Sequence, residues 1–126
     1  MDLATKPRIG RWQRVGAAGL VAASLFVFAA PSQGGTSTVR ATGNDSWSPG
    51  KISVAKGTKV VWKNPSGDDH DFTSYTSNWA KSASLEEGQR TSFKFKKAGT
   101  YKYRCTRHSK MDGAKCDGMC GSVKVR

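Results

Sequence analysis

The chain has 126 residues, with 21 Lys+Arg against 9 Asp+Glu, a formal charge of +12, two histidines and three cysteines. That length leaves room for one small domain. The lysines are scattered through alternating runs without a nucleic-acid-binding motif, which sets nucleic acid aside as a partner.

The N-terminus "MDLATKPRIGRWQR" carries Lys6, Arg8, Arg11 and Arg14, and an apolar run follows from Val15 to Ala30. That run is short for a bilayer span and has the layout of a secretory signal. Val27 and Ala29 suit small-residue cleavage, so residues 1–29 are predicted to be a signal helix removed after Ala29. The competing reading is an uncleaved membrane anchor. No cysteine directly follows the run, which argues against a lipid anchor, and no adjacent arginines mark a twin-arginine signal. Removal takes away four basic residues and one acidic residue, lowering the charge from +12 to +9. The expected product is exported to the periplasm, the cell envelope or the exterior. Its charge would steer it toward acidic partners or anionic envelopes.

Residues 30–36 read as a flexible lead-in. Beyond them come short runs of near-period-two alternation, broken by Gly, Pro, Asn and Asp. The predicted strands are Thr36–Thr42, Lys51–Ala55, Thr58–Asn64, Asp71–Tyr75, Arg90–Phe95, Thr100–Cys105 and Gly121–Arg126. "SASLEEG" (Ser82–Gly88) is expected to hold at most a helical turn or two. About seven short strands in fewer than a hundred residues predict an all-β, Greek-key β-sandwich. Its expected core is Ile52, Val54, Val60, Trp62, Phe72, Phe93, Phe95, Tyr101, Tyr103, Val123 and Val125.

The chemistry gathers near the C-terminus. All three cysteines, His108, Met111 and Met119 fall between Cys105 and Cys120, and the other histidine, His70, lies in the polar loop "NPSGDDHDF". A sandwich brings the loops at one end of its sheets together, so these segments can meet. Two imidazoles and a thiolate make a trigonal donor set, and a long, weak thioether completes the pattern of a blue-copper site. Zinc takes the same three donors but usually wants a fourth strong one. Three cysteines cannot all pair within one molecule, so one thiol is left over.

The segments "WSPGKISVAKGTKVVWKN", "DDHDF", "KKAGTYKYRCTRH" and "MCGSVKV" resemble a cupredoxin of the plastocyanin/amicyanin type, over essentially all of Val39–Arg126. The resemblance implies a domain over residues 37–126 holding one type 1 copper ion through His70, Cys105, His108 and a methionine. Met111 gives the compact Cys-x2-His-x2-Met spacing. Met119 matches the family's junction with the last strand and is favoured, which makes "SKMDGAKCDG" an enlarged ligand loop. Cys105 is then the thiolate, and Cys116 and Cys120 remain to form a disulfide stapling that loop or, with Met119, a separate Cu(I) site. The family often has Asn after the first histidine, where it helps lock two ligand loops. Asp71 stands here instead and puts that lock in doubt, although its backbone N–H remains available to the thiolate.

The resemblance implies an electron carrier and not an enzyme: the donor set is closed, and no further histidines exist to build a second metal centre. Arg107, Ser109 and Lys110 flank His108 and predict a basic face for an acidic redox partner, with transfer slowed by added salt. The protein is expected to be a monomer without a membrane span once the signal is removed. The rival reading is a periplasmic or extracellular Cu(I) buffer or chaperone, which would need free thiols at Cys116 and Cys120.

Overall fold

The computed structural model describes residues 34–126, so the predicted signal segment and residues 30–33 of the lead-in lie outside the described residues. The described chain forms nine strands: β1 (Thr36–Ala41), β2 (Trp47–Ser48), β3 (Lys51–Val54), β4 (Thr58–Lys63), β5 (His70–Ser74), β6 (Ser82–Leu85), β7 (Arg90–Phe95), β8 (Gly99–Asp112) and β9 (Lys115–Val125). They form a four-stranded sheet in the order β2-β1-β4-β7 and a five-stranded sheet in the order β3-β9-β8-β5-β6. The β1/β4 and β3/β9 pairs are parallel and the other pairs antiparallel. No helix among the described residues is long and apolar enough to cross a membrane.

Alternation sorts the side chains. Val60 and Trp62 of β4, Phe95 of β7, Tyr101, Tyr103 and Cys105 of β8, and Val123 and Val125 of β9 turn inward. Phe72 stacks on Tyr103 with ring centroids 4.9 Å apart, and Trp62 tilts against Phe72 at 4.3 Å. Ile52 and Phe93, expected in the core, are only partly buried. Val39, Ala41, Trp47, Trp79, Leu85 and Met119 complete the interior. A Cβ on Gly121 would overlap the phenol end of the Tyr103 ring, so glycine here lets that ring approach the β9 backbone.

Two expectations are corrected. Ser82–Leu85 is a strand and not a helical turn, because β6 pairs with β5, setting Leu85 opposite His70 and Ala83 opposite Phe72. Residues 109–118 do not form an open loop. They continue β8 and β9 as a hairpin arm, with Lys110 opposite Asp117, Met111 opposite Cys116 and Asp112 opposite Lys115. Gly113-Ala114 supplies the two-residue turn, with Gly113 at φ 57°.

Candidate metal centre

Three side chains from two strands of one sheet converge on a single point. His70 opens β5 after the Asn64–Asp69 loop, and Cys105 and His108 lie on β8. The β8/β9 register holds from Gly99 to Arg104, breaks, and resumes at Ser109. The unpaired stretch Cys105–His108 is a bulge, a device that re-aims side chains and is common beside functional sites. It lets Cys105 and His108 face the same side although they are three positions apart in the strand.

The donor atoms form a tight triangle. His70 Nδ1 lies 3.2 Å from His108 Nδ1. Cys105 Sγ lies 3.4 Å from His108 Nδ1 and 3.9 Å from His70 Nδ1. A circle through vertices with these sides has a radius of about 2.0 Å, close to an imidazole–metal bond of ~2.0–2.1 Å and somewhat short of a thiolate–metal bond of ~2.3 Å. The three groups therefore fit one ion. His70 and Cys105 are fully buried, while His108 is only partly covered and links the site to the surface.

The outer nitrogen of each ring is also engaged. His70 Nε2 contacts Ser66 Oγ at 3.3 Å, and that hydroxyl donates to Asn64 Oδ1 at 2.6 Å. Buried Asn64 in turn donates to the carbonyls of Asp68 and Leu85, both at 2.7 Å. His108 Nε2 lies 3.4 Å from Asp45 Oδ1. Contacts of this kind hold the ring orientation and leave Nδ1 for the ion. Sequence reasoning missed Ser66, Asn64 and Asp45. The Asn-Pro-Ser turn was the available signal for the first two, since Asn64 Oδ1 accepts the Ser66 N–H as in an Asx-turn. No local pattern ties Asp45 to His108.

Asp71 is central and not peripheral. Its N–H donates to Cys105 Sγ at 3.4 Å. Its Oδ1 accepts from the Thr106 N–H and the Thr106 hydroxyl, both at 2.8 Å, from the Arg107 N–H at 3.3 Å and from the Cys105 thiol at 3.3 Å. Thr73 Oγ1 donates to Oδ2 at 2.9 Å. A carboxylate thus ties the two ligand segments together. Burial pushes the Asp71 carboxyl up, but the bonds from Thr106, Thr73, Cys105 and Arg107 outweigh it and leave its pKa lowered. Burial raises the Cys105 thiol; the Asp71 and Arg107 backbone N–H groups pull it back in part, while the Asp71 carboxylate adds to the rise.

Met119 and Met111 separate clearly. Met119 is fully buried in the same apolar cluster as Cys105, and its carbonyl accepts the Trp47 Nε1–H at 3.2 Å. Met111 lies out on the hairpin arm and is only partly covered. Cys116 and Cys120 form a disulfide, and Cys105 is the free cysteine. The basic rim predicted around His108 is interleaved with acids: Asp69 lies 4.0 Å from exposed Arg107, Asp45 meets His108, and Asp117 stands opposite Lys110.

A family model described as a cupredoxin-like domain matches residues 17–114. Comparison with curated proteins returned no match. Among solved structures, a purple cupredoxin from Nitrosopumilus maritimus is 23% identical, over 71% of this chain and 99% of that one, with a TM-score of 0.55. A reduced amicyanin variant is 24% identical, over 71% and 80% of the two chains, with a TM-score of 0.58. A copper-containing nitrite reductase from Thermus scotoductus SA-01 is 25% identical over 71% of this chain, with a TM-score of 0.57, but this chain covers only 22% of it. These likenesses establish the fold.

Proposed function

The chain belongs to the cupredoxin-like domain family, and from that premise we propose that it is an exported electron carrier binding one copper ion through His70, Cys105, His108 and Met119. The carrying observation is the triangle of two Nδ1 atoms and one Sγ, with sides of 3.2 to 3.9 Å. A soft thiolate, two imidazoles and a thioether suit copper better than a harder ion.

Bound copper supplies a one-electron Cu(II)/Cu(I) couple. The protein's own groups do the rest. The Asp71 N–H points at the Cys105 sulfur, and the Asp71 carboxylate braces the following turn. Ser66 and Asp45 hold the two rings, so the donors need little rearrangement when an electron arrives or leaves. His108, the least buried of the three convergent donors, is the exit toward a partner. A net charge well above zero favours an acidic redox protein as that partner. The Cys116–Cys120 disulfide supports export to an oxidising compartment.

The reading as a Cu(I) chaperone loses its support, because the thiol pair it needs is a disulfide and Met119 is buried in the core. Enzymatic turnover is not part of the proposal, because a closed donor set offers substrate no position. The test is uptake of one equivalent of Cu(II) with an intense visible band. That band should bleach and return over repeated reduction and oxidation, and should be lost in Cys105→Ser. Uptake without such a band contradicts the proposal.

A further inference from the structure

The bulge at the centre is asymmetric. Arg104 pairs with Cys120 on one side and Ser109 with Gly118 on the other, so the four residues Cys105–His108 of β8 stand against Met119 alone on β9. The long side is braced by Asp71, which accepts from the Thr106 and Arg107 amides, and by the Ser109 hydroxyl, which donates to the Cys105 carbonyl. The short side depends on Gly118 at φ 100°, where a Cβ would collide with the His108 carbonyl, and on the Trp47 bond to the Met119 carbonyl.

The short side has one further restraint. Cys116 and Cys120 have Cα atoms 6.1 Å apart, whereas four residues of straight strand span about 13 Å. Their bond closes a ring that contains Asp117, Gly118 and Met119. Each end of the ring is registered against β8 beyond the bulge, Cys116 opposite Met111 and Cys120 opposite Arg104. A methionine side chain is unbranched and adaptable, so its sulfur is only as well placed as its backbone.

We propose that the Cys116–Cys120 disulfide is the positioning element for the Met119 thioether, fixing the short side of the bulge so that the fourth donor keeps one distance from the other three. This rests on the reading of Met119 as that donor. The disulfide touches no ion and acts through Met119 alone.

The test compares the wild-type protein with the Cys116→Ser/Cys120→Ser double variant in two ways. In the metal-free protein, amide exchange at Gly118–Cys120 should accelerate on the order of ten-fold or more in the variant, while β1, β4 and β7 exchange as before. In the Cu(II) form, the variant's electron paramagnetic resonance spectrum should move in the direction produced by Met119→Leu. Unchanged exchange at Gly118–Cys120 overturns the proposal, and so does faster exchange with an unchanged spectrum. If the variant does not fold, exchange is compared on wild-type protein before and after reduction by a water-soluble phosphine, with the same criterion. If wild-type protein takes up no copper, the functional reading fails, while the metal-free exchange still decides whether the disulfide restrains Met119.

Discussion

His70 and His108 meet through the same ring atom, Nδ1 to Nδ1 at 3.2 Å, although 38 residues separate them in the chain. Each ring reaches that point because its Nε2 is engaged elsewhere, by Ser66 in one case and Asp45 in the other. Convergence is therefore a property of the surrounding hydrogen bonds as much as of the two histidines.

Ser66→Ala should loosen the buried ring without disturbing the sheets. The expected result is a loss of copper affinity of roughly 10–100-fold, the usual consequence of removing a partner of a ligating histidine. Competition with a chelator of known affinity measures it, and an unchanged affinity would show that Ser66 does not orient the ring.

Asp71 places a carboxylate oxygen 3.3 Å from the Cys105 sulfur. A negative group there favours the more positive oxidation state, so Asp71→Asn should raise the reduction potential by tens of millivolts, where ~60 mV is a tenfold change for one electron. Asparagine keeps an acceptor for the Thr106 and Arg107 amides, which separates charge from bracing. Voltammetry decides, and a lower or equal potential removes the electrostatic argument.

Burial favours Met119 over Met111 as the proposed fourth donor. Met119 is enclosed beside Cys105, and Met111 sits on the hairpin arm. Met119→Leu should perturb the Cu(II) spectrum and shift the potential, whereas Met111→Leu should leave both unchanged. The reverse pattern would transfer the role to Met111.

Much of this architecture was legible because strand alternation and turn residues are local signals. Arg90–Phe95 is a strand with the predicted bounds, and five of the other six predicted strands begin within a residue of their observed starts. His70, Cys105 and His108 come together as the resemblance implied. What escaped depends on tertiary pairing. Ser82–Leu85 has weak strand character of its own and becomes a strand by pairing with β5. The polar "SKMDGAKCDG" segment gives no apolar alternation, yet it continues the β8/β9 ladder. Trp47 and Trp79 lie in short, irregular stretches, so nothing local marks them as core, although each donates its indole N–H to a backbone carbonyl. The Asp71 brace escaped because it is made of contacts to backbone amides 35 and 36 residues away.

Alkali should destabilise the fold through Tyr103. Burial pushes its hydroxyl up to about 12, with the Trp62 N–H pulling back slightly, and neither polar atom makes a well-formed hydrogen bond among the described residues. The folded state then holds this proton more tightly than the unfolded chain, whose tyrosine titrates near pH 10. Stability is complete below about pH 10 and falls as pH rises toward 12, by a total of ~2–3 kcal/mol. Urea midpoints between pH 8 and 11 should show this decline, and Tyr103→Phe should make it shallower. An equal decline in both proteins would assign it to other groups.

X-ray absorption at the copper edge of the Cu(II) protein bears most directly on the central claim. One short sulfur and two nitrogens around a single copper are expected, with the sulfur lost in Cys105→Ser and one nitrogen lost in His70→Ala. A first shell of nitrogen and oxygen without sulfur in the wild-type protein would contradict the account.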